Sequence, residues 1–94
     1  MFDQSMIELL QERHDFPCAF TFKAIGRSDA AFTARVLSAV RQHLDAEEDP
    51  PHSLRETSGG RHVAITVEPV VESATQVLSI HQAIAEIDGL VVQL

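Results

Sequence analysis

The chain has 94 residues, 45% of them hydrophobic, and seven basic against fourteen acidic residues give a net charge of -7. A chain of this length can bury one core, so we expect a single domain. The acidic balance argues against a nucleic-acid partner, because binding to a phosphate backbone favours an excess of basic residues. No apolar run reaches the roughly 20 residues of a membrane span, and the N-terminus is acidic where a signal peptide is basic. We therefore predict a cytoplasmic protein with no membrane partner, and the single cysteine, Cys18, agrees with a reducing compartment.

The N-terminal segment has the pattern of a short amphipathic helix. Ser5 and Glu8 have the spacing of a capping box, and His14 and Asp15 break the pattern. We expect residues 1–15 to form an N-terminal helix and lead-in, and residues 16–94 to form the single domain. The apolar positions at helical spacing are Phe2, Met6, Leu9 and Leu10.

The segment from Phe16 to Gly26 predicts a strand with one buried face, because its side chains alternate with a period of two. One face carries Cys18, Phe20, Phe22 and Ala24. The other face carries Ala19, Thr21, Lys23 and Ile25. The richness of the first face in Phe side chains favours a central place in a sheet.

A helix is predicted next, over residues 30–44, with Ser28 or Asp29 as its N-cap. Its apolar stripe consists of Phe32, Val36, Leu37, Val40 and Leu44. Residues 45–51 combine four acidic residues with two prolines and predict an exposed loop. Residues 52–58 predict a weak edge strand in which Leu54 is the only apolar anchor.

The C-terminal third predicts a hairpin, a helix and a last strand. Gly59 and Gly60 suit a two-residue turn, because glycine accepts the positive φ angles of such turns. The strand that follows buries Val63, Ile65 and Val67 and is closed by Pro69. Ser73 and Gln76 predict a capping box for a helix over residues 74–87, which Asp88 and Gly89 terminate, and residues 90–94 predict a final strand.

This order of elements predicts an α+β, ferredoxin-like βαββαβ fold: a four-stranded antiparallel sheet with two helices on one face, plus the short N-terminal helix. The first and third strands are expected at the centre. The uncovered face would carry Thr21, Lys23, Ser53, Arg55, His62, Ala64, Thr66, Val91 and Gln93. Because this face is partly apolar, we expect either the N-terminal helix or a partner protein to cover it.

Several short motifs resemble the YbeD-like family of small bacterial proteins of unknown function. They are Phe16-Pro17, Phe20-Thr21-Phe22-Lys23, Ile25-Gly26, and Ser58 followed by Gly60 and Thr66. The resemblance covers residues 16–94 and implies a ferredoxin-like fold similar to that of ACT domains. The chain departs from the family pattern at His62 and Ala64, where a tyrosine and a serine are usual. The resemblance brings no assigned reaction.

The sequence contains no pattern typical of a metal or cofactor site. Five histidines lack the helical or cysteine-paired spacing of a zinc site, and the acidic loop lacks the ligand spacing of a calcium loop. Cys18 shares its strand face with Phe20 and Phe22, which favours the core over a nucleophilic role. The residues 26–29 lead into a helix N-terminus that can bind anions, but Asp29 competes for its N–H groups, so capping is favoured.

Other proteins of this strand order give two further tests. RNA-binding domains stack bases on aromatic residues of the central strands, and the positions His62, Ala64 and Thr66 offer no such platform. Acylphosphatases need an asparagine to hold a phosphate, and this chain has none. Neither function is favoured.

We predict a non-enzymatic regulatory or protein-interaction module, since no acid, base and nucleophile converge. A protein partner or a homodimer formed through edge strands is expected. The alternative is an ACT-like domain that senses an amino acid or another small anion. A third hypothesis is a minor enzyme that uses Lys23 and His62. The candidate ligand or partner surface consists of Thr21, Lys23, Gly26, Arg27, Arg55, His62 and Thr66.

Overall fold

The computed structural model describes residues 2–57 and 59–94 and contains three helices and six strands within them. Ser58, which belongs to the predicted edge strand and to the family motifs, lies outside the described residues. The helices are α1 (Gln4–Arg13), α2 (Ala30–Leu44) and α3 (Ala74–Ala85). The strands are β1 (Cys18–Ala19), β2 (Phe22–Arg27), β3 (His52–Glu56), β4 (His62–Val67), β5 (Val70–Val71) and β6 (Leu90–Gln93).

Four strands form an antiparallel sheet in the order β3-β4-β2-β6. The two central strands, β2 and β4, are the ones that the sequence predicts to be central. Helices α2 and α3 contact each other and cover one face of the sheet. This arrangement confirms the predicted α+β, ferredoxin-like fold.

The predicted first strand is split in two, although its register is unbroken. Cys18 lies opposite Val71 in a small second sheet, and Phe22 lies opposite Val67 in the main sheet. Between the two sheets the Phe20 N–H donates to the Pro69 carbonyl at 2.9 Å. Pro69 has no N–H to return, so the ladder is interrupted there. The partner strand therefore does not end at Pro69, as predicted, but resumes as β5.

The core lies between the sheet and the two covering helices. Phe22 on β2 and Ile65 on β4 are buried on the face that the alternation predicted. Each buried side chain of this kind contributes about 1.5–3 kcal/mol of transfer free energy. The helices contribute Phe32, Val36, Leu37, Val40, Val77, Ile80 and Ile84.

A close contact in the core joins β2 to the start of α2. The N–H of Phe32 donates to the Asp29 carboxylate at 2.7 Å, which confirms Asp29 as the N-cap and fixes where the helix begins. The Phe32 ring then lies directly over Gly26, where a Cβ atom would come within 2.3 Å of the ring. Glycine is therefore required at position 26 for α2 to reach the sheet.

Helix α1 differs from its prediction in both its start and its location. Its N-cap is Asp3 instead of Ser5. The hydroxyl and the N–H of Ser5 both donate to the Asp3 carboxylate, and these two hydrogen bonds lower the pKa of Asp3. The helix packs beside α3, and Leu10 contacts the core. The expectation that α1 covers the uncovered sheet face is thus wrong, because α1 lies on the side of the helices.

The C-terminal elements depart from prediction at their ends. Gly59 and Gly60 have positive φ angles of 91° and 69°, but the last hydrogen bond of the hairpin joins Thr57 N–H to the His62 carbonyl, so the connection is longer than a two-residue turn. Helix α3 has the predicted cap, with the Gln76 N–H donating to the Ser73 hydroxyl, and ends at Ala85 instead of residue 87.

Strand β6 contains a bulge opposite β2 that moves its C-terminal side chains. The register shifts between Ile25 and Gly26, so that Gln93 lies opposite the buried Ala24. Gln93 binds α3 through two hydrogen bonds with His81, at 3.0 Å to its carbonyl and 2.8 Å to its ring Nδ1. The predicted place of Gln93 on the uncovered face is therefore wrong.

Substitution of Gly26 by alanine should destabilise the fold, because the new Cβ overlaps the Phe32 ring. We expect a loss of about 3 kcal/mol in the free energy of unfolding, measured by urea denaturation. Gly26→Ala combined with Phe32→Leu should lose less than the two single changes together. Additive losses would show that the contact does not limit how α2 seats on the sheet.

A matched pair of leucines tests the docking of α1. Leu10 contacts the core, whereas Leu9 is 50% exposed. Leu10→Ala should cost about 1–2 kcal/mol in unfolding free energy, because burial is partial, and Leu9→Ala should stay within about 0.5 kcal/mol. Equal losses in the two variants would contradict the placement of α1 against α3.

Candidate functional site

The sheet face opposite α2 and α3, here called the open face, is covered by no described helix. Its central row runs across all four strands: Arg55 lies opposite Ala64, Ala64 opposite Ile25, and Ile25 opposite Val92. Only the first of these positions carries charge, so the middle of the open face is apolar.

The neighbouring row is polar. Ser53 lies opposite Thr66, and Thr66 lies opposite Lys23. The Lys23 carbonyl accepts the Leu94 N–H at 2.9 Å, and Leu94 lines the same depression as Lys23. Two hydroxyls and an ammonium group therefore flank the apolar row.

These two rows line a shallow depression of about 450 Å³. Its lining carries two positive side chains, Lys23 and Arg55, and one negative side chain, Glu56, at the edge strand. The residues that line it are Lys23, Ile25, Ser53, Leu54, Arg55, Glu56, Thr57, Ala64, Thr66 and Leu94. In a molecule with a net charge of -7, this is a local excess of positive charge.

The cations of the open face are weakly paired or unpaired. Among the described residues, no carboxylate lies within 4.0 Å of Lys23 or Arg55. Arg27 lies 3.6 Å from Asp88, but both side chains are largely exposed, and such pairs contribute about 0–1 kcal/mol. Lys23 and Arg55 are therefore available to an external negative group.

The structure brings together three of the predicted surface residues, Lys23, Arg55 and Thr66, around the depression. Arg27 and His62 lie opposite each other at the far end of the β2·β4 ladder. The exposed Thr21 precedes β2 at the other end of that strand.

Gly26 was included in the candidate surface but is buried under Phe32 on the opposite face of the sheet. Conversely, Val92 and Leu94 belong to the open face and were not included. The bulge in β6 explains this difference, because one extra residue reverses which side chains face out. The only sequence signal of the bulge is a glycine within a strand, Gly26, next to the register shift.

Lys23 and His62, the pair of the minor-enzyme hypothesis, do not lie together on the open face. Lys23 lies opposite Thr66, and His62 lies opposite Arg27, four residues further along β2. At the usual rise per residue, this places Lys23 and His62 about 13 Å apart along the strands. The described residues also include no group of three or more histidine, cysteine, aspartate and glutamate side chains that could hold a metal ion.

The N–H groups at the connection before α2 are bonded within the protein. The Asp29 carboxylate accepts the Phe32 N–H, and the Ser28 N–H donates to the Arg61 carbonyl at 3.0 Å. The geometry agrees with the predicted capping role.

Within the described ranges, no helix has both the length and the apolar character needed to cross a membrane.

Comparison with known proteins places the chain in a family. A family model described as "Protein of unknown function (DUF493)" matches residues 11–94. A UPF0250 protein of Shewanella putrefaciens (strain CN-32) is 32% identical over 90 residues, which cover 96% of each chain. A UPF0250 protein of Shewanella baltica (strain OS155) is 31% identical with the same coverage.

A solved structure supports the fold. The solution structure of protein HP0495 from H. pylori matches with a TM-score of 0.69 and 17% identity, over 86% of this chain and 85% of that one. This likeness shows the fold alone. With the family model and the relatives, it confirms the resemblance noted in the sequence: the chain belongs to the DUF493 (UPF0250) family of small, YbeD-like bacterial proteins of unknown function.

Proposed function

We propose that this chain is a non-enzymatic protein-interaction module that binds a partner protein through its open face. The observation that carries the proposal is the apolar row Ala64, Ile25 and Val92, which no described helix covers. An antiparallel sheet that is meant to face water carries polar residues on that side. A regulatory role would follow from binding alone, without any reaction by this chain.

The charges around the apolar row support a protein partner. Arginine and apolar side chains are typical of interface centres, and charged groups at the rim set orientation and association rate. Arg55 lies at one end of the apolar row, and Lys23 lies beside it. A complementary partner would present apolar side chains to the row and carboxylates to these two cations.

Charge reversal on the open face should abolish partner binding. The tagged wild-type chain is used to capture a partner protein from the native cells. We expect the captured amount of that protein to fall at least tenfold with Lys23→Glu/Arg55→Glu, measured by quantitative mass spectrometry. Arg13→Glu, on the exposed side of α1, provides a control for charge reversal away from the open face and should retain the partner.

Both variants should unfold within about 0.5 kcal/mol of the wild type, because the substituted side chains are exposed. A captured protein would then be purified and its affinity for each variant measured by calorimetry. Equal affinity for the wild type and the open-face variant would contradict the proposal.

A small anion is the second candidate ligand, because the depression of about 450 Å³ has the volume of a ligand site and carries Lys23 and Arg55. If the chain senses such an anion, a ligand at 100 times its Kd should raise the melting temperature by roughly 10 °C. A thermal-shift series with phosphate and the common amino acids provides the measurement. Lys23→Glu should remove the shift, and the absence of any shift across the series would count against this function.

A further inference from the structure

We infer that the outer edge of β3 accepts an extended segment of the partner as a fifth strand, and that this segment alternates acidic with apolar side chains. The inference rests on the proposed function and adds to it the mode of binding and the chemistry of the partner. Three observations support it: the free edge, the depressions on both sides of that edge, and the placement of charge.

Strand β3 is a free edge of the sheet. It pairs with β4 on one side, and all five of its side chains are exposed. Thr57 N–H donates to the His62 carbonyl, and the Pro51 carbonyl accepts the Glu68 N–H, so odd-numbered residues bond to β4. Because bonding alternates along an antiparallel strand, the N–H and C=O groups of His52, Leu54 and Glu56 point to the outer edge. An added strand would find three regularly spaced donor and acceptor pairs.

The helix side of this edge has an apolar centre at Leu54. Leu54 lies opposite the buried Ile65, yet its side chain is 53% exposed because α2 does not reach over it. A depression of about 380 Å³ lies between Leu54 and α2, where Ala34 and Leu37 line it together with Thr33 and the ion pair of Arg41 and Asp49. A second depression of about 310 Å³ is lined by Leu54 and Val63 and by the polar residues Ser28, Asp29, Thr33 and Glu56. Alternate side chains of an added strand would enter this groove and cover Leu54.

The other side of the edge is cationic. Arg55 has the opposite parity to Leu54 and borders the depression of the open face. The side chain directly opposite Arg55 on an added strand would have its Cβ about 5 Å from that of Arg55. A carboxylate there would pair with Arg55, which no described carboxylate approaches within 4.0 Å. The two sides of the edge thus select acidic and apolar side chains in alternation.

A second copy of the chain matches this edge less well. If two β3 strands pair antiparallel about Leu54 with their helices on the same side, Arg55 lies opposite Ser53 of the other copy. This pairing brings no carboxylate opposite Arg55 and places a second Arg55 on the open face, which adds like charge. Strand β6 of a second copy brings Leu90, Val91, Val92 and Gln93, which carry no charge at all. The placement of charge therefore favours an acidic partner segment over self-association.

The test uses the full chain and a synthetic eight-residue peptide in which glutamate and valine alternate. One control peptide alternates lysine and valine, and another has the glutamate and valine residues in two separate blocks. The alternating acidic peptide should slow amide hydrogen exchange at least tenfold at His52, Leu54 and Glu56, measured by NMR. Neither control peptide should do so.

Two variants sharpen the test. Arg55→Glu should weaken the acidic peptide at least tenfold and strengthen the lysine peptide, a reversal that loss of fold cannot produce. Leu54→Pro removes an outward N–H without removing a bond to β4, and should abolish binding of the acidic peptide. Arg13→Glu is the charge control and should bind as the wild type does.

Several outcomes would overturn the inference. One is equal binding of the lysine and glutamate peptides, and another is protection from amide exchange at β6 instead of β3. A third is protection of β3 that appears without peptide and increases with protein concentration, which would show a second copy at the edge. A purified partner that is lost with Lys23→Glu but bound by correctly folded Leu54→Pro would overturn strand addition and leave the proposed function standing. Partner binding that Leu54→Pro abolishes and Lys23→Glu leaves unchanged would instead refute binding through the open face and leave strand addition standing.

Discussion

The contact between Gly26 and the ring of Phe32 decides how the two layers of this protein meet. Helix α2 begins at Ala30, two residues before Phe32, at a start fixed by the Asp29 cap, and its first large apolar side chain, Phe32, lies against the backbone of β2. This contact sets which face of the sheet α2 covers. The same geometry leaves Lys23 and Ile25, the alternate residues of β2, on the side without helices. The candidate surface is thus a direct consequence of core packing.

The elements that the sequence predicted well are those with a strong internal period. The alternation in β2 and β4 and the stripe of α2 each bury one face whatever their neighbours do, so their sides could be assigned without a structure. The Asp29 and Ser73 caps were also readable, because each bonds only to the N–H three residues ahead. The fold follows from these elements because few topologies connect them without crossings.

The differences arise where a distant residue decides a local outcome. The interruption between β1 and β2 depends on Pro69, which lies almost fifty residues away in the chain but directly opposite Phe20. The side that Gln93 faces depends on a bulge beside Gly26 and on bonds to His81. The position of α1 depends on whether Leu10 packs beside α3 or against the open face. Either surface is apolar enough to bury the apolar side of α1. Residues within one segment do not contain this information.

The contrast between the overall charge and the open face bears on specificity. A net charge of -7 repels acidic molecules at long range, but salt at physiological strength screens this field beyond about 8 Å. At contact distance, the positive charge of the open-face depression comes from Lys23 and Arg55. A polyanion such as nucleic acid spreads its charge beyond this small cationic area and meets the repelling surface around it. A short segment with a few carboxylates at strand spacing does not, so the same charge distribution that disfavours nucleic acid admits an acidic strand.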